Sequence, residues 1–328
     1  MKKIPILGEL KAGETQRHLI KLPGAALAKD EPRAVISITG AKPGPVLFVN
    51  AGVHGGEYPA IEAVIRLSKT LDPKRTSGTV ILMPVMNLPA FRTRTPFVCP
   101  IDNVNPNRVF PGDPTGTYSE QMTHALINEF VVHADAHIDL HGGDIPEALV
   151  PFVICRQGND NVARKSKAMA MAFGLPYVLT ISKPVQPAKG SSSYAAAAEK
   201  GIPAVLAEAG GVGQMQEEAV AMLVDGVKRV MQHLKMLDSE GQALETSAST
   251  TPTILTRFEW LYTKNAGMWY PEVEAGDVVK EGQKIGRVGD LFGETLEKII
   301  SPVDGVVLFL TINPSVLENG LLMGIGCE

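Results

Sequence analysis

Short runs of Val, Ile, Leu and Ala recur along the first two-thirds of the chain, separated by longer stretches in which apolar residues return every three to four positions. The runs at 34–38, 46–49, 79–83, 136–140, 150–154 and 204–207 read as almost continuously apolar, the pattern of strands covered on both faces. The stretch 57–71 places Ile61, Val64, Ile65 and Leu67 on one helical face and stops at Asp72-Pro73. A second helix is predicted over 119–132 with Ser119 as its N-cap, a third over 160–173 ending before Gly174 and Pro176, and the longest over 217–237. Strands alternating with helices predict an α/β domain built on a mostly parallel sheet.

The character changes beyond position 237. Residues 238–252 (DSEGQALETSASTTP) are polar, small and without period, which predicts a linker or exposed loop. From about Ile254 helical spacing disappears, and Gly267, Gly276, Gly282, Gly286, Gly289, Gly293 and Gly305 punctuate short strands. A chain of 328 residues exceeds the usual single core, so a larger and a smaller unit are expected. The predicted division is an α/β domain over 1–240, a linker over 241–253 and an all-β, barrel-like domain over 254–328.

Composition narrows the function classes. Apolar residues make up 45% of the chain and charged residues 20%, which excludes a disordered chain. The formal net charge of −4, with no basic run, gives no general attraction to nucleic acid or to an anionic membrane. No window approaches the roughly 18 apolar residues of a membrane span. Lys2 and Lys3 are followed by Glu9 and Lys11 rather than by an apolar signal core. Cys99, Cys155 and Cys327 are odd in number and widely spaced, with no Cys-x-x-Cys pair, as expected of free thiols in a reducing compartment. A cytoplasmic location is the expectation.

Four segments carry candidate chemistry. In Asn50-Ala51-Gly52-Val53-His54-Gly55-Gly56-Glu57 a buried strand gives way to a helix, the place where ligands gather in open α/β sheets. An imidazole and a carboxylate three residues apart are both good zinc donors, and the intervening glycines let the backbone turn so that both face one ion. A helix-capping role for Glu57 is the alternative. In Ala136-His137-Ile138-Asp139-Leu140-His141-Gly142-Gly143, alternation puts His137, Asp139 and His141 on one strand face, with His141 at the strand end. Two histidines and a glutamate leave one zinc position for water, as in a catalytic site, and Asp139 is a candidate to orient a ligand histidine. The spacing of four between His133, His137 and His141 also fits a helical stripe. The strand at 204–207 delivers Glu208 to its carboxyl end, where a glutamate can take a proton from metal-activated water, although a capping or salt-bridged role is the simpler reading of that residue alone. Arg92 and Arg94, followed by Asn107-Arg108, offer guanidinium groups for a carboxylate or a developing oxyanion.

Taken together, these segments resemble the succinylglutamate desuccinylase/aspartoacylase family of the zinc carboxypeptidase clan, over roughly residues 46–211. The resemblance implies a zinc-carboxypeptidase-like mixed sheet flanked by helices and one Zn2+ per subunit at His54, Glu57 and His141. It also implies Glu208 as general base and then acid, Asn107 and Arg108 as binders of a substrate carboxylate, and Arg94, with Arg92 as rival, as the arginine that polarises the carbonyl. The expected activity is removal of an acyl group from a small N-acylated amino acid. A metallo-carboxypeptidase acting on short peptides and a catalytically inactive metal- or ligand-binding protein are the competing readings. A homo-oligomer is a reasonable expectation for such an enzyme. Pro106 departs from the family's usual leucine before Asn-Arg, and the segment between Arg94 and Asp102 looks longer than usual. The tail 266–326 resembles a biotinyl/lipoyl-like barrel, with Ser301-Pro302-Val303-Asp304-Gly305 as its strongest part. The tip 290–294 carries no lysine, and Lys298 falls inside the next predicted strand, so no prosthetic group is expected. This barrel is predicted to wall one side of the site and restrict substrate size.

Overall fold

The computed structural model describes residues 3–29, 31–182, 191–237, 244 and 251–328. Most of the predicted linker lies outside these described residues. The larger part is built on strands β1 (Glu14–Ile20), β2 (Arg33–Thr39), β3 (Lys42–Asn50), β4 (Ser77–Met83), β5 (Ala136–His141), β6 (Glu147–Leu149), β7 (Phe152–Arg156), β8 (Tyr177–Ile181), β9 (Ala204–Glu208) and β10 (Thr253–Leu255), with helices α1 (Tyr58–Thr70), α2 (Leu88–Thr93), α3 (Tyr118–Glu129), α4 (Asn161–Phe173), α5 (Ser193–Glu199) and α6 (Glu217–His233). Nine of these strands form one sheet in the order β1-β2-β4-β3-β5-β9-β7-β8-β10. The centre, β4-β3-β5-β9, is parallel, and antiparallel pairs occur at β1-β2, β2-β4 and β9-β7. The sheet is therefore mixed, as the family resemblance implied, with parallel pairing dominant at its centre.

Alternation along the central strands sorts residues to two apolar layers. Leu47, Val49, Ile138, Leu140, Val205 and Ala207 pack with buried residues of α1, α4 and α6. Val46, Phe48, Ala204 and Leu206 pack with buried residues of α3 and α5 on the other face. No helix among the described residues is long and apolar enough to cross a membrane.

Several boundaries differ from the sequence expectation for identifiable reasons. Thr117, not Ser119, caps α3: its hydroxyl accepts from the Glu120 amide while Glu120 reaches back to the Thr117 amide, a capping box. Ser119 sits inside the first turn and donates from Oγ to Asp102 Oδ1 at 2.9 Å. Helix α6 ends at His233, and Lys235 takes a left-handed φ of 59°, which turns the chain so that the Met236 carbonyl accepts from Ser77 beside β4. Strand β1 is half exposed along its length and carries no buried stripe for a sequence reading to find.

The C-terminal strands are β11 (Arg257–Tyr262), β12 (Gly267–Pro271), β13 (Val278–Val279), β14 (Lys284–Gly289), β15 (Thr295–Ile300), β16 (Gly305–Thr311), β17 (Ser315–Val316) and β18 (Leu321–Cys327). They form two small antiparallel sheets, β11-β18-β16-β13 and β15-β14-β12-β17, over a core that includes Trp269, Ile285, Val288 and Val307. Strand β6, which follows the β5 strand end, adds to β16 with Leu149 opposite Phe309. The all-β region is thereby stitched to the sheet that carries the candidate site.

Arg33, 1% exposed, locks three chain segments around that sheet. Its Nε donates to the Met86 carbonyl at 2.7 Å, Nη1 to the Glu31 carbonyl at 2.8 Å and Nη2 to the Tyr118 hydroxyl at 3.1 Å. Replacing it removes the donor from the buried Met86 carbonyl and unties the three segments, so Arg33→Met should lower stability by about 2–4 kcal/mol in urea titration. An unchanged midpoint would contradict this role.

Candidate metal and acyl-transfer site

The site forms where β3, β5 and β9 end. The turn after β3 carries His54 and Glu57, β5 ends on His141, and β9 ends on Glu208, whose Cα pairs with His141 across the parallel ladder. Pairing thus sets the distance between His141 and Glu208 through backbone hydrogen bonds rather than through flexible side chains.

Glu57 occupies the N-cap position of α1 but makes no capping hydrogen bond. Its side chain turns instead into the sheet end, where Oε1 lies 2.6 Å from His54 Nδ1 and Oε2 lies 2.9 Å from His141 Nδ1. One ligand atom from each of His54, Glu57 and His141 falls within 4.8 Å of the others, and all three residues are buried. His137 and His141 lie on a strand and His133 on a separate 3-10 turn, so the helical stripe does not form.

The glycines between His54 and Glu57 are required by close approach rather than by backbone torsion. Neither takes a positive φ. A Cβ on Gly55 would lie 2.2 Å from the Phe91 amide nitrogen, and one on Gly56 would lie 2.0 Å from Asp144 Oδ1. Asp144 is fully buried and accepts from the Phe97 amide at 2.6 Å and the Ile145 amide at 2.7 Å, which holds the 97 segment against the His54 ring.

The far ring nitrogens have close neighbours as well. His54 Nε2 is 3.0 Å from Asn105 Oδ1, and His141 Nε2 is 3.1 Å from Asp139 Oδ2 but without an aligned hydrogen bond. Asp139 also accepts from Asn50 Nδ2 at 2.7 Å and from the Ser193 hydroxyl, and His137 Nε2 lies 2.7 Å from Asn50 Oδ1. His54 thus meets an acceptor oxygen on each ring nitrogen, so a ring that gave Nε2–H to Asn105 would turn an Nδ1 lone pair toward the Glu57 carboxylate. Glu57 Oε2, although close to His141, has no aligned hydrogen bond. A buried carboxylate facing two imidazole nitrogens in this way could hold a metal ion, and the residue types fit zinc.

Electrostatics follow the same pattern. Burial opposes ionisation of Glu57, but His141 and His54 outweigh it and hold its carboxyl below the usual range. Burial raises the pKa of Glu208 well above the ordinary carboxylate value; His141 opposes this, and Glu57, Glu147 and Asp139 add to it. Glu208 Oε2 is buried without a partner. Burial pushes His137 down to about 4, so it stays neutral.

A cavity of about 420 Å3 opens beside these groups. His54, Glu57, Glu208, Asn107 and Arg108 line it, together with Phe258, Trp260, Tyr262, Phe309 and Leu321 of the C-terminal strands. Pro106 opens a 3-10 turn, where its missing N–H costs nothing, so Asn107 and Arg108 still reach the cavity. Asn107 Oδ1 accepts from the Ser193 amide at 3.3 Å, and the Arg108 guanidinium stands 5.7 Å from the Trp260 ring centroid. Burial lowers the Arg108 pKa from its ordinary value, with Tyr262 and Glu147 opposing. Arg94 is not brought to this cavity: it caps α2 with a left-handed φ of 56° and its side chain is exposed. Arg92 is exposed and paired with Glu31. Sequence reasoning missed Asn105, Glu147, Trp260 and Tyr262. The Asn-Pro-Asn-Arg spacing could have marked Asn105, but nothing local marks the aromatic residues of a distant strand.

The sequence profile of the succinylglutamate desuccinylase/aspartoacylase catalytic domain matches residues 43–234, which contain every donor described above. The chain belongs to this family. It is 29% identical over 294 residues to the N-alpha-acetyl-L-2,4-diaminobutyric acid deacetylase of Halomonas elongata, covering 86% of this chain and 82% of that protein. The fold is shared with the ectoine utilization protein EutE (DoeB) of Ruegeria pomeroyi in its product-bound structure, with TM-score 0.84, 23% identity and coverage of 99% and 100% of the two chains. A succinylglutamate desuccinylase/aspartoacylase from Rhodobacter sphaeroides matches with TM-score 0.82, 22% identity and 98% of each chain covered.

Two outcomes test this geometry. Gly56→Ala should push Asp144 and the 97 segment away and weaken zinc affinity at least about tenfold, read by competition with a chromophoric chelator. Unchanged affinity would contradict the steric argument. His137 has a folded pKa below its unfolded value, so its contribution is present above pH 6.5 and is lost as pH falls toward 4. Over that window the wild type should lose about 3 kcal/mol more stability than His137→Gln, and equal losses would contradict a neutral buried His137.

Proposed function

We propose that the chain is a zinc-dependent deacylase that removes the acyl group from a small N-acylated amino acid by hydrolysis of its amide bond. The observation that carries the reading is Glu57 buried between His54 and His141, with the unpartnered Glu208 carboxyl beside them on the same cavity. Membership of the family and the deacetylase activity named for the Halomonas elongata relative support it.

His54, Glu57 and His141 would hold one zinc ion per subunit, with Asp139 and Asn105 orienting the two imidazoles. When bound, zinc supplies Lewis acidity, which acidifies water and polarises an amide carbonyl. Glu208 accepts the proton of the attacking water and delivers it to the leaving nitrogen. Its pKa, raised by burial, suits a carboxyl that must both take and give a proton, and a cation held at the site would oppose that rise. Asn107, with its oxygen committed to Ser193, keeps its NH2 for a substrate carboxylate, and Arg108 supplies the planar guanidinium beside it. Binding energy gathered there orients the scissile bond over Glu208. Arg94 stays outside this scheme because its exposed side chain lies off the cavity lining.

Glu208→Gln should keep a full complement of zinc and lose about 10²- to 10⁴-fold in kcat on N-acyl amino acids. Near-normal turnover in that variant would remove the general-base assignment. Activity confined to dipeptides in the wild type would favour the carboxypeptidase reading instead.

A further inference from the structure

The cavity holds more than a metal site, and its lining is of two kinds. Among the described residues, its acidic and basic lining groups, His54, Glu57, Arg108, Glu147 and Glu208, all come from the turns at 54–57 and 105–108, from β6 and from the end of β9. Strands β7 and β8 contribute only Phe152, Ile154, Leu179 and Ile181; Phe152 and Leu179 form the packed floor, in one cluster with Val306 and Leu308, and Ile154 and Ile181 stay partly exposed. Ladder register puts these on one face. Phe152 is opposite Glu208, Ile154 is opposite Leu206, and Leu179 is opposite Ile154 in the next strand. An apolar strip therefore starts beside the Glu208 carboxyl and runs across two strands, about 10 Å at ordinary strand spacing. Phe258, Trp260 and Phe309 of the C-terminal sheet close it from the opposite side.

The strip is joined to the carboxylate anchor by one residue. Trp260 walls the cavity and also carries the Arg108 guanidinium over its ring at 5.7 Å. A carboxylate on Arg108 and a group against Trp260 are therefore neighbours on the substrate, which places both on the amino-acid half rather than on the acyl half. From this geometry we propose that the apolar slot between β7–β8 and β11–β16 receives the side chain of the released amino acid, so that the preferred substrates are N-acyl derivatives of bulky apolar or aromatic amino acids. The proposal rests on the deacylase reading and names its substrate class. Burial of such a side chain gives about a 10- to 100-fold advantage over a short charged one.

The test uses the zinc-loaded full chain. Its kcat/KM for N-acetyl-L-phenylalanine and N-acetyl-L-leucine should exceed those for N-acetyl-L-aspartate and N-alpha-acetyl-L-2,4-diaminobutyrate by about 10- to 100-fold. By calorimetry, which needs no turnover, L-phenylalanine should bind more tightly than L-2,4-diaminobutyrate by a similar factor. Ile181→Asp, at the half-buried far end of the slot, should erase both preferences. Ile181→Ala, which tests the same wall should the aspartate variant fail to fold, should reduce them several-fold. Preference for either short charged substrate would overturn the slot while leaving the deacylase reading intact. Failure to hydrolyse all four would overturn the deacylase reading, and the calorimetric ranking would still decide the slot.

Discussion

Glu57 is a carboxylate at 2% exposure with an imidazole nitrogen on each of its oxygens, and the rest of the site is arranged around that fact. Burying a charge this deeply is costly unless it is paired, and the pairing here comes from two side chains far apart in sequence. Their own far nitrogens face Asn105 on one side and Asp139 on the other. Asp139 is itself held by Asn50 and Ser193. The chain of contacts leaves little freedom in the three donors and explains why so much buried polar surface sits at the end of an otherwise apolar sheet.

The sheet supplies the spacing. Parallel pairing of β3, β5 and β9 brings Asn50, Asp139, His141 and Glu208 to one edge in fixed register. Crossing helices cover both faces, so the edge is the one place where polar side chains can gather beside a cavity. The C-terminal strands then wall that cavity with aromatic residues, and β6 ties them to the strand that ends in His141. Arg108 and the carboxyl groups of Glu57, Glu147 and Glu208 face a common space whose other walls are largely apolar and aromatic.

Much of this could be read from the chain because it is local. The His-Gly-Gly-Glu turn, the Asp-x-His strand end and the strand-borne Glu208 each combine an apolar run with an abrupt polar or glycine break. The reason for the glycines could not be read: Gly56 is set by Asp144, nearly ninety positions away, and only the folded contact shows it. Arg94 illustrates the opposite limit. The family resemblance implied a place for it beside the carbonyl, whereas here it forms the left-handed cap of α2 with an exposed side chain. The aromatic wall was invisible for the same reason, since Trp260 and Phe309 meet the site only through tertiary packing. Thr117 was legible and overlooked, because its capping-box partner Glu120 stands at the expected spacing.

The account stands on a divalent cation held by two histidines and one glutamate. Elemental analysis of the purified chain after zinc loading and gel filtration tests it most directly. One equivalent of zinc per chain is predicted for the wild type and essentially none for the double variant His54→Ala/His141→Ala. Absence of zinc from the wild type, or equal zinc in both proteins, would contradict the account.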